Sequence, residues 1–462
     1  MWNTVRNYVA LWDWRLFLGI LLFIGLPNVY NLYRVHLIGN EIPDPGSLAI
    51  VSQWQFVGLV IEVFQEATVL AIFFFLGSQI RKATDIQMDR AKSVLTFIFL
   101  GSIVFSLGVF VFRDAFITLI GTSEDIQAQT KAFLGISIFS IPFTLLAAAI
   151  IVLFESLGLR RLVFLMAIVN VALRFVLDSV LFGGYAFSQD AGVLGVGWST
   201  LLASMGLFGV GMTLLFWTKS IPTGFFTTLP TFAGMRDYLR VGLGSGADSL
   251  IRNVFYFVMI IRIVNTIGST EIGGYYLAIQ ILWSFMLVPV LALADSAKAL
   301  VANASDDRQQ VKSLWHVSIL ITAIMMVAWV ALFPVFPAAA NALSDDAETV
   351  RWAVTAFGIL FVPYVLLSFN VVMDSVFYGV GKTKYLAYQS FVTNGTVYVV
   401  AFLLYVLDLW TPTFEGVMAL FALGIVIDSF LTIGFLIKVL YLDPAPAGTG
   451  TEAERAEAPP AR

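Results

Sequence analysis

The chain has 462 residues, of which 59% are apolar and only 12% charged, against roughly 25% charged in a soluble domain. That balance excludes a string of soluble domains and a nucleic-acid-binding surface, and a formal net charge of −4 says little about a molecule whose surface mostly faces lipid. The lack of cysteine removes disulfides, thiolate metal sites and cysteine nucleophiles together. His36 and His316, in neither HExxH nor HxH spacing, offer no zinc site.

The apolar residues gather in runs of about 20 or more, the length a helix needs to cross a hydrocarbon core of about 30 Å. In chain order they predict spans over 16–38, 47–78, 93–113, 132–156, 161–184, 192–217, 238–267, 273–303, 313–336, 350–379, 384–406 and 414–441. The alternating segments of a membrane barrel, about ten residues each, are not seen. The first run follows Arg15 without a small-residue cleavage motif and reads as a span, not a cleavable signal. Pro27, Pro142, Pro289 and Pro363 fall inside spans, where a missing N–H and a ring clash predict kinks.

An even number of spans puts both termini on one side. Arg81, Lys82, Arg160, Arg161, Lys219, Arg308 and Lys382 fall in alternate loops, and the opposite loops carry Glu41, Asp44, Glu124, Asp190 and Asp345. The bias of basic residues toward the inside then predicts cytoplasmic termini in a multi-pass protein of the plasma (inner) membrane.

The chain also repeats itself. LIGNEIPDPGSLAI (37–50) is echoed by TIGSTEIGGYYLAI (266–279), LIGTSEDIQAQTKAF (119–133) by LSDDAETVRWAVTAF (343–357), and SLGLRRLVFL (156–165) by GVGKTKYLAY (379–388). Two parallel six-helix halves are implied, an arrangement that in transporters frames a site at the interface of the repeats. The fold class expected is an all-α polytopic membrane protein with twelve transmembrane helices in two pseudo-symmetric six-helix lobes around a central cavity. Its domains would be an N-terminal lobe (1–217), a cytoplasmic linker (218–237) containing Pro222 and Pro230, a C-terminal lobe (238–441), and a tail (442–462). The tail is rich in Pro, Ala and Glu, with no apolar face to bury, and is expected to be disordered.

Charges inside apolar spans cost about 2.5–3.5 kcal/mol each on insertion scales, so each one needs a reason. In the second span, Glu62 and Glu66 lie one turn apart on one face. Carboxylates that close resist ionising together, which suits a proton-carrying pair, although they could equally line a wet vestibule. In the fifth span, Arg174 and Asp178 stand four residues apart and can pair within their own helix. Asp248 and Arg252 repeat that spacing in the seventh, and each pair could simply neutralise itself. In the eighth, Asp295 falls where the repeat matches Glu66, with Lys298 nearby. Asp374 and Asp428 are single acids in the tenth and twelfth spans. Tyr33, Trp54, Phe64, Tyr256, Trp283 and Phe285 are the aromatic candidates for an amphipathic cavity.

Residues 15 to 440 resemble the multidrug and toxic compound extrusion (MATE) family, part of a multidrug/oligosaccharidyl-lipid/polysaccharide flippase superfamily. The most specific pieces are LIGTSEDIQAQTKAFLGISIFSIPF (119–143), LSDDAETVRWAVTAFGILFVPY (343–364), YGVGKTKYLAYQ (378–389) and LADSAKALVAN (293–303). FVLDSVLFGG (175–184) is similar to the family's fifth helix, whose acid belongs to the proton or sodium coupling site, and the resemblance implies that role for Asp178. The chain departs from the family at three places. Arg34 stands near a usual aspartate, Arg174 where an asparagine is common, and Arg252 where a glutamate is frequent.

The resemblance implies a secondary antiporter, not an enzyme, exporting small amphipathic drugs and xenobiotics in exchange for H+ or Na+ by alternating access. Cation coupling falls to Asp178, Glu66 and Glu62. Arg34, Arg174, Asp248, Arg252, Asp295, Tyr256 and Trp283 are the substrate and cavity candidates. No catalytic residue, cofactor or metal site is expected beyond Na+ near Asp178. The partners expected are membrane lipid and a small organic substrate, with no nucleic acid, for a monomer. The arginines, with Arg262, also motivate the alternative of an organic-anion exporter or a flippase of a phosphate-bearing lipid. A membrane-embedded enzyme is disfavoured because no triad, metal or nucleotide motif is present, and a scaffold would leave the intramembrane charges without a use.

Overall fold

A computed structural model describes residues 12–44, 46–69, 72, 85–157, 159–218, 228–304, 307–382 and 384–442, and within them all regular secondary structure is helical. Twelve spans follow one another: α1 Trp14–Asn40, α2 Ser47–Thr68, α3 Asp89–Val111, α4 Glu124–Glu155, α5 Arg160–Phe182, α6 Gly192–Trp217, α7 Ser249–Ile267, α8 Ser269–Met286 with Val288–Asn303, α9 Arg308–Leu343, α10 Ala347–Gly379, α11 Lys384–Val406 and α12 Phe414–Leu442. Each corresponds to an apolar run read from the sequence. The expected continuation of the second run to residue 78 falls largely outside the described residues. So do positions 219–227 of the linker and 443–462 of the tail.

Local chemistry explains where these helices begin and bend. The side chain of Asp13 accepts from the backbone N–H groups of Arg15 and Leu16 at the start of α1, and Asp307 does the same for Gln309 and Gln310 at α9. α8 bends by 48°. The bend follows a π-helical turn at Leu282–Met286, and Pro289 opens the next segment, where its missing N–H breaks no bond. Pro142 likewise opens a new segment in α4 after a 3-10 turn at Ile138–Ser140, whereas Pro27 and Pro363 sit inside continuous helix.

Helices α3–α6 pack chiefly among themselves, with α6 against α4 and α5, and α8–α12 gather around α10, which touches α8, α9 and α12, whereas α1, α2 and α7 make most of their contacts across the two halves. The halves meet where α1 lies against α8 and α2 against α7 and α8. Lipid is as apolar as leucine, so small residues and polar pairs must hold such contacts. Within the C-terminal half, a Cβ on Gly274 of α8 would fall 2.9 Å from both Ala353 N and Thr349 O of α10, so only glycine permits that approach. Across the halves, Asn31 Nδ2 donates to Gln280 Oε1 (2.5 Å) and Ser284 Oγ (3.1 Å), and Gln53 Nε2 donates to Asn265 Oδ1 (2.8 Å). Toward the membrane the molecule presents Leu22, Val104, Ile324 and Phe391, all exposed.

Candidate functional site

The 3.6-residue period of α5 sets Asn170, Arg174 and Asp178 one above another on a single face. Asp178 is fully buried. Its Oδ2 accepts from the Tyr30 hydroxyl on α1 and its Oδ1 from the Ser199 hydroxyl on α6, so the carboxylate ties three helices together. Arg34, one turn beyond Tyr30, brings Nε to 3.3 Å from Oδ2. That contact is an ion pair without hydrogen-bond alignment. The guanidinium's hydrogen bonds run from Nη2 to Thr200 Oγ1 (2.9 Å) and Val196 O (3.2 Å).

The pairing of Arg174 with Asp178 expected within α5 does not form. Arg174 donates from Nε to Asn170 Oδ1 at 3.1 Å instead. Helical side chains lean toward the N-terminus, so an arginine that precedes the acid reaches away from it, and base-before-acid is the weaker order at this spacing. Arg34 arrives from another helix and takes the place.

Beside this cluster lie two cavities. One, of about 250 Å³, is lined by Asn28, Tyr30, Asn31, Arg34, Asn170 and Arg174 among others. The second, of about 150 Å³, shares Asn31, Arg34 and Arg174 and adds Trp54, Gln55, Thr200 and Tyr276. Two guanidinium groups therefore face a polar space next to one carboxylate. A bound Na+ does not fit at Asp178. Both carboxylate oxygens already accept from hydroxyls, and a guanidinium 3.3 Å away would repel a second cation.

The other residues singled out by sequence fall elsewhere. Glu62 and Glu66 sit half-buried on α2, and neither contacts Asp178. Asp295 pairs with Lys298 of its own helix at 2.9 Å, both about half exposed. The Tyr256 hydroxyl meets that of Tyr275 at 2.5 Å, and Trp283 Nε1 donates to the Tyr364 hydroxyl at 3.1 Å, so both belong to an aromatic group of the C-terminal half and line neither polar cavity. Trp54 does line one, as expected. Phe285 lines a separate apolar cavity of about 230 Å³ with Trp329, Phe333 and Phe361. Arg262 is exposed on α7. The side chains of Asp248 and Arg252 lie outside the described residues.

One constellation was not legible as such. Asp374 of α10 and Asp428 of α12, read singly from the sequence, converge on Gln389 of α11. The amide Nε2 lies 3.4 Å from both oxygens of Asp374 and 3.2 Å from Asp428 Oδ2. Thr393 and Asn370 also donate to Asp428, at 3.1 and 2.6 Å, and Thr432 donates to Gln389 Oε1 at 2.9 Å. The available signal was polar residues one turn apart inside apolar spans: Asn370 with Asp374, Gln389 with Thr393, Asp428 with Thr432.

The described residues form an all-helical, polytopic membrane protein with polar cavities and buried ionic groups among its spans. A family model described as MatE matches residues 247–403. The chain is 23% identical over 239 residues to a probable multidrug resistance protein NorM of Pseudomonas putida, covering 51% of this chain and 52% of that protein. It is 23% identical to the multidrug export protein MepA of Staphylococcus saprophyticus, covering 71% of this chain and 72% of the relative. The match to the first relative thus spans about half of its length. A solved structure of the inward-facing conformation of a multidrug resistance MATE family transporter is similar with a TM-score of 0.77 at 18% identity, over 92% of this chain and 97% of that one, which bears on the fold. The chain is thus similar in part of its sequence to the MatE family model and to these multidrug proteins, and in fold to a MATE transporter.

Proposed function

We propose that the protein is a secondary active antiporter that exports small amphipathic organic compounds, drugs and xenobiotics among them, with H+ as the coupling ion and Asp178 as the group that carries it. The supporting observation is the buried Asp178 carboxylate, held at the junction of α1, α5 and α6 by Tyr30, Ser199 and Arg34. The relatives' names, a multidrug resistance protein and a multidrug export protein, point the same way. A proton taken up by Asp178 removes the charge that holds Arg34. α1, whose backbone bonding is already interrupted at Pro27, is then free to shift against α5 and α6, which reshapes the cavities that Arg34 lines. Rocking of the two six-helix halves would turn that local step into alternating access. The protein would work as a monomer in the plasma membrane with both termini in the cytoplasm.

A second reading rests on the second guanidinium. Arg34 and Arg174 both line the polar cavities, with Asp178 as the one carboxylate paired there. Guanidinium groups recognise carboxylate and phosphate bidentately, which favours an organic anion or a phosphate-bearing lipid as cargo.

Transport by the full chain in proteoliposomes tests both readings, under a pH gradient alone and then a sodium gradient alone, against lipophilic cations and anions such as citrate. Efflux driven by the pH gradient and blocked by lipophilic cations is the result expected. Inhibition by anions alone would select the second reading, a requirement for sodium would overturn the proton assignment, and no transport under either gradient would overturn both.

A further inference from the structure

The C-terminal half holds a polar centre that the coupling assigned to Asp178 does not use. Asp374 and Asp428 share the single donor Gln389 Nε2, at 3.4 and 3.2 Å. Among the described residues neither carboxylate has a basic side chain within ion-pair distance. The bases of the surrounding helices are engaged elsewhere. Lys298 holds Asp295 at 2.9 Å, Lys384 and Lys438 lie over the Tyr385 ring at 5.4 and 5.7 Å, and Arg308 donates to Leu440 O at 2.9 Å. From α11, Tyr398 is the further titratable group that faces Asp428.

A second observation shows what the centre lacks. Asn370, one turn before Asp374, is 1% exposed. Its carboxamide lies against Asp428, with Nδ2 2.6 Å from Oδ2, yet its buried Oδ1 has no hydrogen-bond donor. Two carboxylates and a stranded amide oxygen are all acceptors, and a buried acceptor left unmet costs about 1–3 kcal/mol. A carboxyl O–H corrects both deficits at once, because it removes one negative charge and supplies a donor.

We propose that Asp374 and Asp428 form a second proton-binding site, holding one H+ between them against Asn370 and Gln389 in the C-terminal half. Uptake makes one O–H bond on a carboxylate oxygen and reduces the pair's charge from two to one. Release breaks that O–H bond and returns the proton to water, and both side chains are half-buried, not sealed in the core. The site is separate from Asp178, so it would stand even if transport were coupled to another ion.

Dicyclohexylcarbodiimide, which reacts with protonated carboxyl groups in apolar surroundings, tests this on the wild-type full chain in detergent. Mass spectrometry of protein treated at neutral pH is expected to find the adduct on Asp374 or Asp428, diminishing as pH rises. Potentiometric titration is the second measurement: the single variants Asp374→Asn and Asp428→Asn should each take up about one proton per chain less than wild type across the neutral range. In an Asp178→Asn background the same difference should persist. No adduct on either residue together with unchanged proton uptake would overturn the proposal. Protection of the pair by NaCl but not by potassium chloride would overturn it in favour of a sodium site.

Discussion

In the N-terminal half, the buried carboxylate of Asp178 lies against a guanidinium and two hydroxyls, whereas in the C-terminal half Asp374 and Asp428 meet, among the described residues, amides and a hydroxyl. Both centres join three helices by polar residues spaced one turn apart. They differ in how charge is balanced. A fixed cation balances Asp178, so its state depends on whether Arg34 stays in place, which couples it to the position of α1. Among the described residues the second centre has no such cation, and the site proposed there would draw its counter-charge from solution as a proton. A buried charge beside a fixed opposite charge acts as a latch between helices, while a like-charged pair acts as a receptor for a small cation.

Substitutions can break that contrast. The largest effect is expected from Asp178→Asn, which should abolish gradient-driven efflux in proteoliposomes while the protein still inserts. Unchanged efflux would remove Asp178 from coupling. Next comes Arg34→Ala, which strands a buried carboxylate and should cost about 3–5 kcal/mol. Thermal unfolding in detergent should show it, and the double change Arg34→Ala with Asp178→Asn should recover most of the loss. Arg174→Gln is expected to leave thermal stability nearly intact, because Asn170 is its hydrogen-bond partner, but to weaken binding of an anionic ligand. A charge-assisted bond is worth about 1.5–3 kcal/mol, on the order of ten- to a hundredfold in affinity. Tryptophan fluorescence titration with citrate, using Trp54 at the cavity wall, would measure it.

Smaller again is Asn31→Ala across the interface of the halves. Interhelical hydrogen bonds in membranes average about 0.6 kcal/mol, so a double-mutant cycle with Gln280→Ala should return a coupling of that order. The smallest expected change in stability is the most discriminating. Asp428→Asn removes one of two like charges and should leave the unfolding temperature unchanged or slightly raised, opposite in sign to Arg34→Ala. A loss as large as that of Arg34→Ala would mean that an unrecognised cation holds the C-terminal centre.

The number and order of the spans were legible because a lipid solvent writes a simple rule into the chain: about 20 apolar residues per crossing. The repeat and the MATE resemblance were equally plain. The sequence also marked Asp178, and it marked Arg34 and Arg174 as departures from the family. It went astray in assigning partners. The spacing of Arg174 and Asp178 suggested a pair within one helix, but spacing fixes only which face a residue occupies, and the lean of side chains along α5 carries Arg174 to Asn170.

What the sequence determined by itself, then, is everything that depends on the helix period and on the cost of polar groups in hydrocarbon: an all-helical membrane protein in two repeats, with charges that need a reason. Which charges answer one another was decided only by tertiary packing. Three helices lie in the chain between Arg34 of α1 and Asp178 of α5, and Asp374, Gln389 and Asp428 come from three different spans. No local periodicity relates residues that far apart. Their meeting depends on how α1 packs on α5 and how α10, α11 and α12 pack together, and those contacts exist only in the folded molecule.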